Sequence, residues 1–169
     1  PSSVSMISDY LARFAKKFPE VHFDIHEGST FTLKDQLENR VVDITTLRTP
    51  IMLKGCETRS LAQEKLLVMA LPTHEIMQQE LQNLTLKDLS QYKIILSHRY
   101  RQYILSAFEE KGIFCDIYCE CQDARTALTL AENGLGVAVL PASMQKLTSR
   151  VVFREIIDAD LTTEILLAW

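Results

Sequence analysis

The stretch ENGLGVAVLP, residues 132 to 141, constrains this chain more than any other ten residues. Two of the five glycines sit at 134 and 136, four apolar residues follow, and a proline ends the run. Because the stretch continues a helical pattern, Gly134 reads as the left-handed residue that terminates a helix. Gly136 lets the backbone turn back with no side chain in the way. Val137, Ala138, Val139 and Leu140 are apolar at successive positions, the mark of a strand covered on both faces. Pro141 has no N–H to offer a sheet and closes the strand. The unit is helix, turn, buried strand, and its neighbours decide what it is for.

Strand and helix patterns alternate along the rest of the chain. Ile7, Tyr10, Leu11, Phe14 and Phe18 fall on one helix face, which Pro19 ends. VHFDIHE (21–27) alternates strictly and reads as a half-exposed edge strand, with His22 and His26 on its solvated side. GST (28–30) turns the chain and caps a helix carrying Leu33, Leu37 and Val41. VVDITTL (41–47) and KLLVMALP (65–72) are the next strands. A second round follows: a short helix at 85–89 capped by Thr85 and Asp88, a strand at 93–97, and a helix through Tyr100, Ile104, Ala107, Phe108 and Lys111 that ends at Gly112. Then come a strand at 115–121, the helix of Ala124, Ala127, Leu128 and Ala131, and strands at 151–156 and 164–169. Two sets of alternating elements predict two α/β lobes with mostly parallel sheets.

With 169 residues, the chain is long enough for one domain or two small lobes. A net charge of −4 argues against this segment gripping nucleic acid, which needs a basic patch. The cluster Arg13, Lys16 and Lys17 reads as a solvated helix face. No apolar run reaches the roughly 18 residues of a membrane span, and no signal-peptide pattern opens the chain. Cys56, Cys115, Cys119 and Cys121 make no disulfide framework in a chain of this size and fit a reducing cytoplasm. A start at Pro1 without Met, and a stop at Trp169 inside a strand-like run, read as a fragment of something longer.

In an open parallel sheet, ligands sit beyond the carboxyl ends of strands, where helix N-termini point. The polar residues at those junctions are Ser2 and Ser3, Ser29 and Thr30, Ser97, His98 and Arg99, and Gln122 and Asp123. Asp123 excepted, they add hydroxyl, amide or cationic donors to free backbone N–H groups, which is equipment for an anion. Ser, Thr and Asp are also the usual capping residues, so each junction taken singly reads first as an N-cap. One helix terminus contributes about 0.3–1 kcal/mol to an anion, up to about 2 when partly buried. Micromolar binding needs roughly 8 kcal/mol, so a desolvating cleft must provide the rest. No nucleophile elbow or Gly-rich phosphate loop is present, and GLG (134–136) ends a helix instead of opening one. The sequence thus predicts neither an enzyme nor a cofactor. Cys119 and Cys121 share one strand face, with Cα atoms about 6.5–7 Å apart, at the outer limit for a disulfide. They read as structural cysteines, and the histidine spacing gives no zinc motif.

Taken together, SDYLARFAKKFPEVHFDIHEGST, VVDITTL, EKLLVMALPTHE and ENGLGVAVLPAS resemble the effector-binding domain of LysR-type bacterial transcriptional regulators. The resemblance covers nearly the whole chain. It implies a fold like that of periplasmic binding proteins, with two Rossmann-like lobes joined by two crossover strands. Residues 1–72 and 162–169 would form the first lobe, lacking a first strand and a last helix, and 73–161 the second. By position, Ser2, Ser3, Ser29, Thr30 and Ser97 with its neighbours would contact a small metabolite, commonly an organic anion, in the inter-lobe cleft. Thr46 is a further candidate, and Arg48 reads either as a ligand contact or as an exposed loop arginine. The resemblance also implies a homodimer or homotetramer and coupling to DNA through an N-terminal winged helix-turn-helix absent from this chain. A free solute-binding protein of a transport system is the alternative with the same fold.

Overall fold

A computed structural model describes residues 4–79 and 84–169. The chain forms two compact units, Pro1–Ala62 with Glu164–Trp169, and Gln63–Thr163. It passes from one to the other within two strands. Ser2 and Ser3 lie outside the described residues.

The first unit opens with α1 (Val4–Lys17), whose last turn carries Lys16 and Lys17, cations suited to the negative end of a helix. Its predicted apolar stripe is there, but Tyr10, Phe14 and Phe18 are 62%, 45% and 43% exposed. The predicted strand over 21–27 does not form. A strand exists by exchanging hydrogen bonds with a neighbour, and this segment pairs with none among the described residues. Local contacts hold it instead: the Phe23 ring meets Phe14 edge-on at 6.2 Å, and His26 Nε2 lies 3.2 Å from the Asp24 carboxylate.

Helix α2 (Thr30–Glu38) begins where the sequence places it, with Ser29 as N-cap. It ends sooner than the apolar pattern suggests. Asn39 caps it, Arg40 turns to φ 56°, and Val41 lies past the end, exposed. β1 (Thr45–Arg48) runs antiparallel to β7 (Thr162–Ala168), with Leu47 opposite Leu166. The small core beneath α2 consists of Leu37, Leu47 and Ala168, flanked by Leu33, Val42, Leu53 and Cys56.

The second unit contains most of the buried apolar residues. β2 (Thr58–Ala70) runs into it, seven residues longer at its start than the apolar run predicts because TRSLAQE is polar. There follow α3 (Glu75–Gln78), α4 (Leu86–Leu89), β3 (Ile94–Ser97), α5 (His98–Glu110), β4 (Ile117–Cys121), α6 (Ala124–Glu132), β5 (Val137–Pro141), a 3-10 helix (Ala142–Leu147) and β6 (Val152–Arg154). The sheet order is β4-β3-β5-β2-β6. Only β4-β3-β5 is parallel; β2 is antiparallel to both β5 and β6. The expectation of mostly parallel sheets is therefore too broad. Parallel neighbours need a crossover helix, and α5 and α6 are the two crossovers that serve them.

Strand alternation divides the interior into two layers. Val68, Ala70, Ile94, Leu96, Val137 and Val139 pack with Tyr100, Ile104 and Phe108 of α5. Leu67, Met69, Ile95, Ala138 and Leu140 pack with Ala127, Leu128 and Ala131 of α6. The strands β3 and β5 are buried at every position, as the continuous apolar runs require. Gly134, at φ 76°, ends α6. At Gly136 an added Cβ would collide with the Lys93 carbonyl oxygen, which accepts a hydrogen bond from Val137 N at 2.9 Å.

Two short elements carry no sequence signal strong enough to be read. α3 is a single turn whose N-cap, His74, accepts from Ile76 N through Nδ1 at 3.3 Å. Burial pushes the His74 imidazole below its ordinary pKa, which favours the neutral form able to accept. The 3-10 helix is held at its start by Glu64, whose Oε2 accepts from Ser143 N at 2.7 Å.

Candidate functional site

The carboxyl ends of β3 and β4 lie side by side, with Ser97 opposite Cys121 in the parallel register. This brings two of the sequence-picked junctions together: Ser97, His98 and Arg99 at the start of α5, and Gln122 and Asp123 at the start of α6. Both helices exceed two turns, at 13 and 9 residues, so each presents the positive end of a real dipole.

The residues at these junctions differ in what they have left to offer. Asp123 is committed to its own helix, accepting from Arg125 N at 2.7 Å. Gln122 is exposed. Ser97 occupies the N-cap position of α5 but makes no side-chain cap bond, although it is only 3% exposed. Nearby, in the first turn of the same helix, the Tyr100 hydroxyl is buried with no partner among the described residues. The Arg99 guanidinium lies 5.7 Å from the centre of the Tyr100 ring.

Two residues that sequence reasoning did not select organise this end of the unit. Glu120 of β4 holds His98 through Nδ1 with one carboxylate oxygen and Arg101 Nε with the other, at 3.1 Å for the arginine. His98 is therefore engaged by a hydrogen bond to Glu120 at the surface of the unit. Strand alternation carries the signal: in CDIYCEC, Glu120 must face away from Cys119 and Cys121, and so toward α5.

In the first unit, Ser29 Oγ accepts from Thr32 N at 3.1 Å and hydrogen bonds to Thr32 Oγ1 at 2.9 Å, the capping role its residue type suggests. Thr30 is the first residue of α2 and half-buried. Thr46 lies on β1 opposite Leu167, half-buried between the buried Thr45 and Leu47. The two clearest hollows in the second unit lie elsewhere. The larger, about 450 Å³, is lined by Tyr103, Glu110, Lys111, Asp158 and Asp160 among others, and none of the sequence-picked residues borders either.

A mixed sheet whose parallel strands deliver two helix N-termini, the Ser97 hydroxyl and the Gln122 amide to one end has the arrangement of an α/β ligand-binding domain. The chain belongs to the LysR substrate-binding-domain family, whose model matches residues 2–169. An uncharacterised HTH-type transcriptional regulator of Bacillus subtilis, YvbU, is 25% identical over 159 residues, covering 92% of this chain and 53% of its own length. Among solved structures, the BenM effector-binding domain with its effector benzoate matches with a TM-score of 0.80 and 21% identity, over 96% of this chain and 76% of that one. The effector-binding domain of QuiR in complex with shikimate matches with a TM-score of 0.81 and 19% identity, over 96% and 79%. This chain thus has the two-lobe fold of LysR effector-binding domains. The relatives are transcriptional regulators, not transport proteins or enzymes, so the solute-binding alternative falls away. The chain spans about half the length of the curated relatives it matches. Among the described residues no helix is long and apolar enough to cross a membrane.

Proposed function

We propose that this chain senses a small organic anion and that Ser97, with the first-turn N–H groups of α5, is the centre of the contact. The supporting observation is the state of Ser97: a buried serine at the head of a 13-residue helix, its hydroxyl unused by that helix. Arg99 and Gln122 flank it, and Ser29, Thr30 and Thr46 are the contacts assigned to the first unit. His98 acts through its hydrogen bond to Glu120, whose carboxylate also pairs with Arg101 at the same turn. Benzoate and shikimate, the molecules bound by the two structural relatives, are both carboxylates. A carboxylate matches the donors here, because charge-assisted bonds to N–H and O–H groups are the stronger kind.

In the longer regulator, ligand occupancy would bias the packing of a homodimer or homotetramer and so move a DNA-binding helix-turn-helix outside this chain. Four free thiols suit the reducing cytoplasm where such a regulator works.

The test is a thermal-shift screen of small carboxylates, since a ligand that binds the native state alone raises stability by mass action. A hit that stabilises the protein and loses most of its shift in Ser97→Ala supports the reading. A hit whose shift is unaltered in Ser97→Ala removes Ser97 from the contact.

A further inference from the structure

Cys119 and Cys121 are a close pair in the structure. Their Sγ atoms lie 3.9 Å apart on one face of β4, and both thiols are free. A register shift between Ile94 and Ile95 in the pairing of β3 with β4 sets which sulfurs can meet. Ahead of it, Ile117 and Cys115 pack with the α5 layer. After it, Cys119 and Cys121 pack with the α6 layer. Cys115 is thereby separated from the other two, and what remains is a pair.

Three fates are open to a dithiol pair, and geometry separates them. A disulfide needs the sulfurs at about 2.05 Å and Cα atoms usually within 6.8 Å. Residues two apart on a strand are about 6.5–7 Å apart, so closing that bond would buckle β4 against its ladder with β3. A structural zinc site needs four ligands, and among the described residues no group of three or more His, Cys, Asp and Glu is placed to hold a metal. The third fate fits. Thiolate–metal bonds of about 2.3 Å hold two sulfurs about 3.8 Å apart at a tetrahedral angle and about 4.6 Å apart in a line. The observed separation falls at the near end of that span, and a small side-chain rotation reaches the rest.

We propose that Cys119 and Cys121 form a two-sulfur site for a soft, thiophilic d10 ion of the Cu(I) type, between β4 and α6. Thiolates select such ions over harder ones. Binding displaces both thiol protons: two S–H bonds break, two S–Cu bonds form, two protons leave to solvent, and no electron is transferred. The bound complex carries one net negative charge, and the N-terminus of α6, whose Ala124 and Ala127 pack on the pair, is the favourable end of a helix to meet it. Access is through Cys119, which is half-buried, while Cys121 is 7% exposed.

The experiment titrates the full 169-residue chain with Cu(I) under anaerobic conditions against a coloured Cu(I) chelator. One Cu(I) per chain, withheld from the chelator, is expected, with at least a tenfold loss of affinity in both Cys119→Ser and Cys119→Ala. Cys56→Ser and Cys115→Ser should stay within twofold of the parent. Circular dichroism and thermal melting establish which variants are folded, and two replacements at a half-buried position guard against one of them failing. Undiminished Cu(I) binding in a folded Cys119 variant overturns the proposal, as does loss confined to Cys115→Ser or a parent protein that yields all its copper to the chelator.

Discussion

The two units of this chain are patterned alike and buried very differently. In the second, strands β3 and β5 are buried throughout, and α5 and α6 each seal one face of the sheet. In the first, the core cluster among the described residues is Leu37, Leu47 and Ala168, with Ile165 also buried, while Tyr10, Phe14, Phe23, Ile25 and Phe31 are 44–63% exposed. Local helix propensity suffices for α1 and α2 in both sequence and structure. What differs is cover. Burying an apolar side chain contributes about 1.5–3 kcal/mol, so the second unit holds nearly all of the cohesive energy. The half of the molecule with the larger apolar core is thus also the half that carries Ser97.

Large-to-small substitutions bring out that contrast most strongly. Phe108→Ala empties a site that is 1% exposed between α5 and the sheet, and should cost about 3–5 kcal/mol. Phe14→Ala removes two aromatic neighbours, Phe18 and Phe23, from a half-exposed ring, and should cost about 0.5–1.5 kcal/mol. Urea denaturation of both variants checks this. Equal losses would mean that the first unit is as tightly held as the second. Gly136→Ala comes next, since its methyl must displace the Lys93 carbonyl. Overpacking of this kind costs about 1–3 kcal/mol, read as a lowered denaturation midpoint.

How far the sequence could be read follows the same division. ENGLGVAVLP was legible in detail, because Gly134, Gly136 and the apolar run each answer to a local backbone or burial requirement that the second unit satisfies within itself. VHFDIHE was not. Its alternation is as regular, but a strand is a relation between two segments, and period-2 patterning names no partner. At these two junctions, residue type picked out Ser97 and Asp123, but not that Asp123 serves its own helix while Ser97 does not. That distinction rests on side-chain direction. Glu120 was missed for a related reason: its importance comes from His98 and Arg101, which sequence separation hides and the β3–β4 register brings within reach.

Helix caps give a matched pair across the two units. Thr85 and Asp88 close a capping box at α4, and Ser29 caps α2. Thr85→Ala and Ser29→Ala should each cost about 0.5–2 kcal/mol. The two should separate with pH. Hydrogen bonds from Thr85 hold the Asp88 carboxyl below its ordinary value of 3.8. A carboxylate whose pKa is depressed on folding stabilises the protein above its unfolded pKa, and that contribution is lost as pH falls through the folded one. The cost of Thr85→Ala should therefore shrink below pH 3.8, whereas the cost of Ser29→Ala, with no carboxylate in its cap, should hold more nearly constant. Denaturation of the three proteins at pH 7 and pH 3 makes the comparison.

The smallest expected change in stability is the most informative about function. Ser29 and Ser97 are both serines at the head of a helix, one in each unit, and residue type alone cannot rank them. Ser29 Oγ accepts from Thr32 N, so its removal strips an N–H of its partner. Ser97 has no such bond to lose, and replacing its hydroxyl by hydrogen should change stability by less than about 0.5 kcal/mol. If the hydroxyl is kept for a carboxylate ligand, deletion forfeits a charge-assisted bond of about 1.5–3 kcal/mol, roughly ten- to hundred-fold in affinity. Ser97→Ala should therefore leave the urea midpoint in place while weakening the carboxylate found by thermal shift, as calorimetry would measure. Ser29→Ala should lower the midpoint whatever it does to the ligand. Loss of stability in Ser97→Ala with affinity intact would reverse the assignment and make Ser97 a structural residue of the better-packed unit.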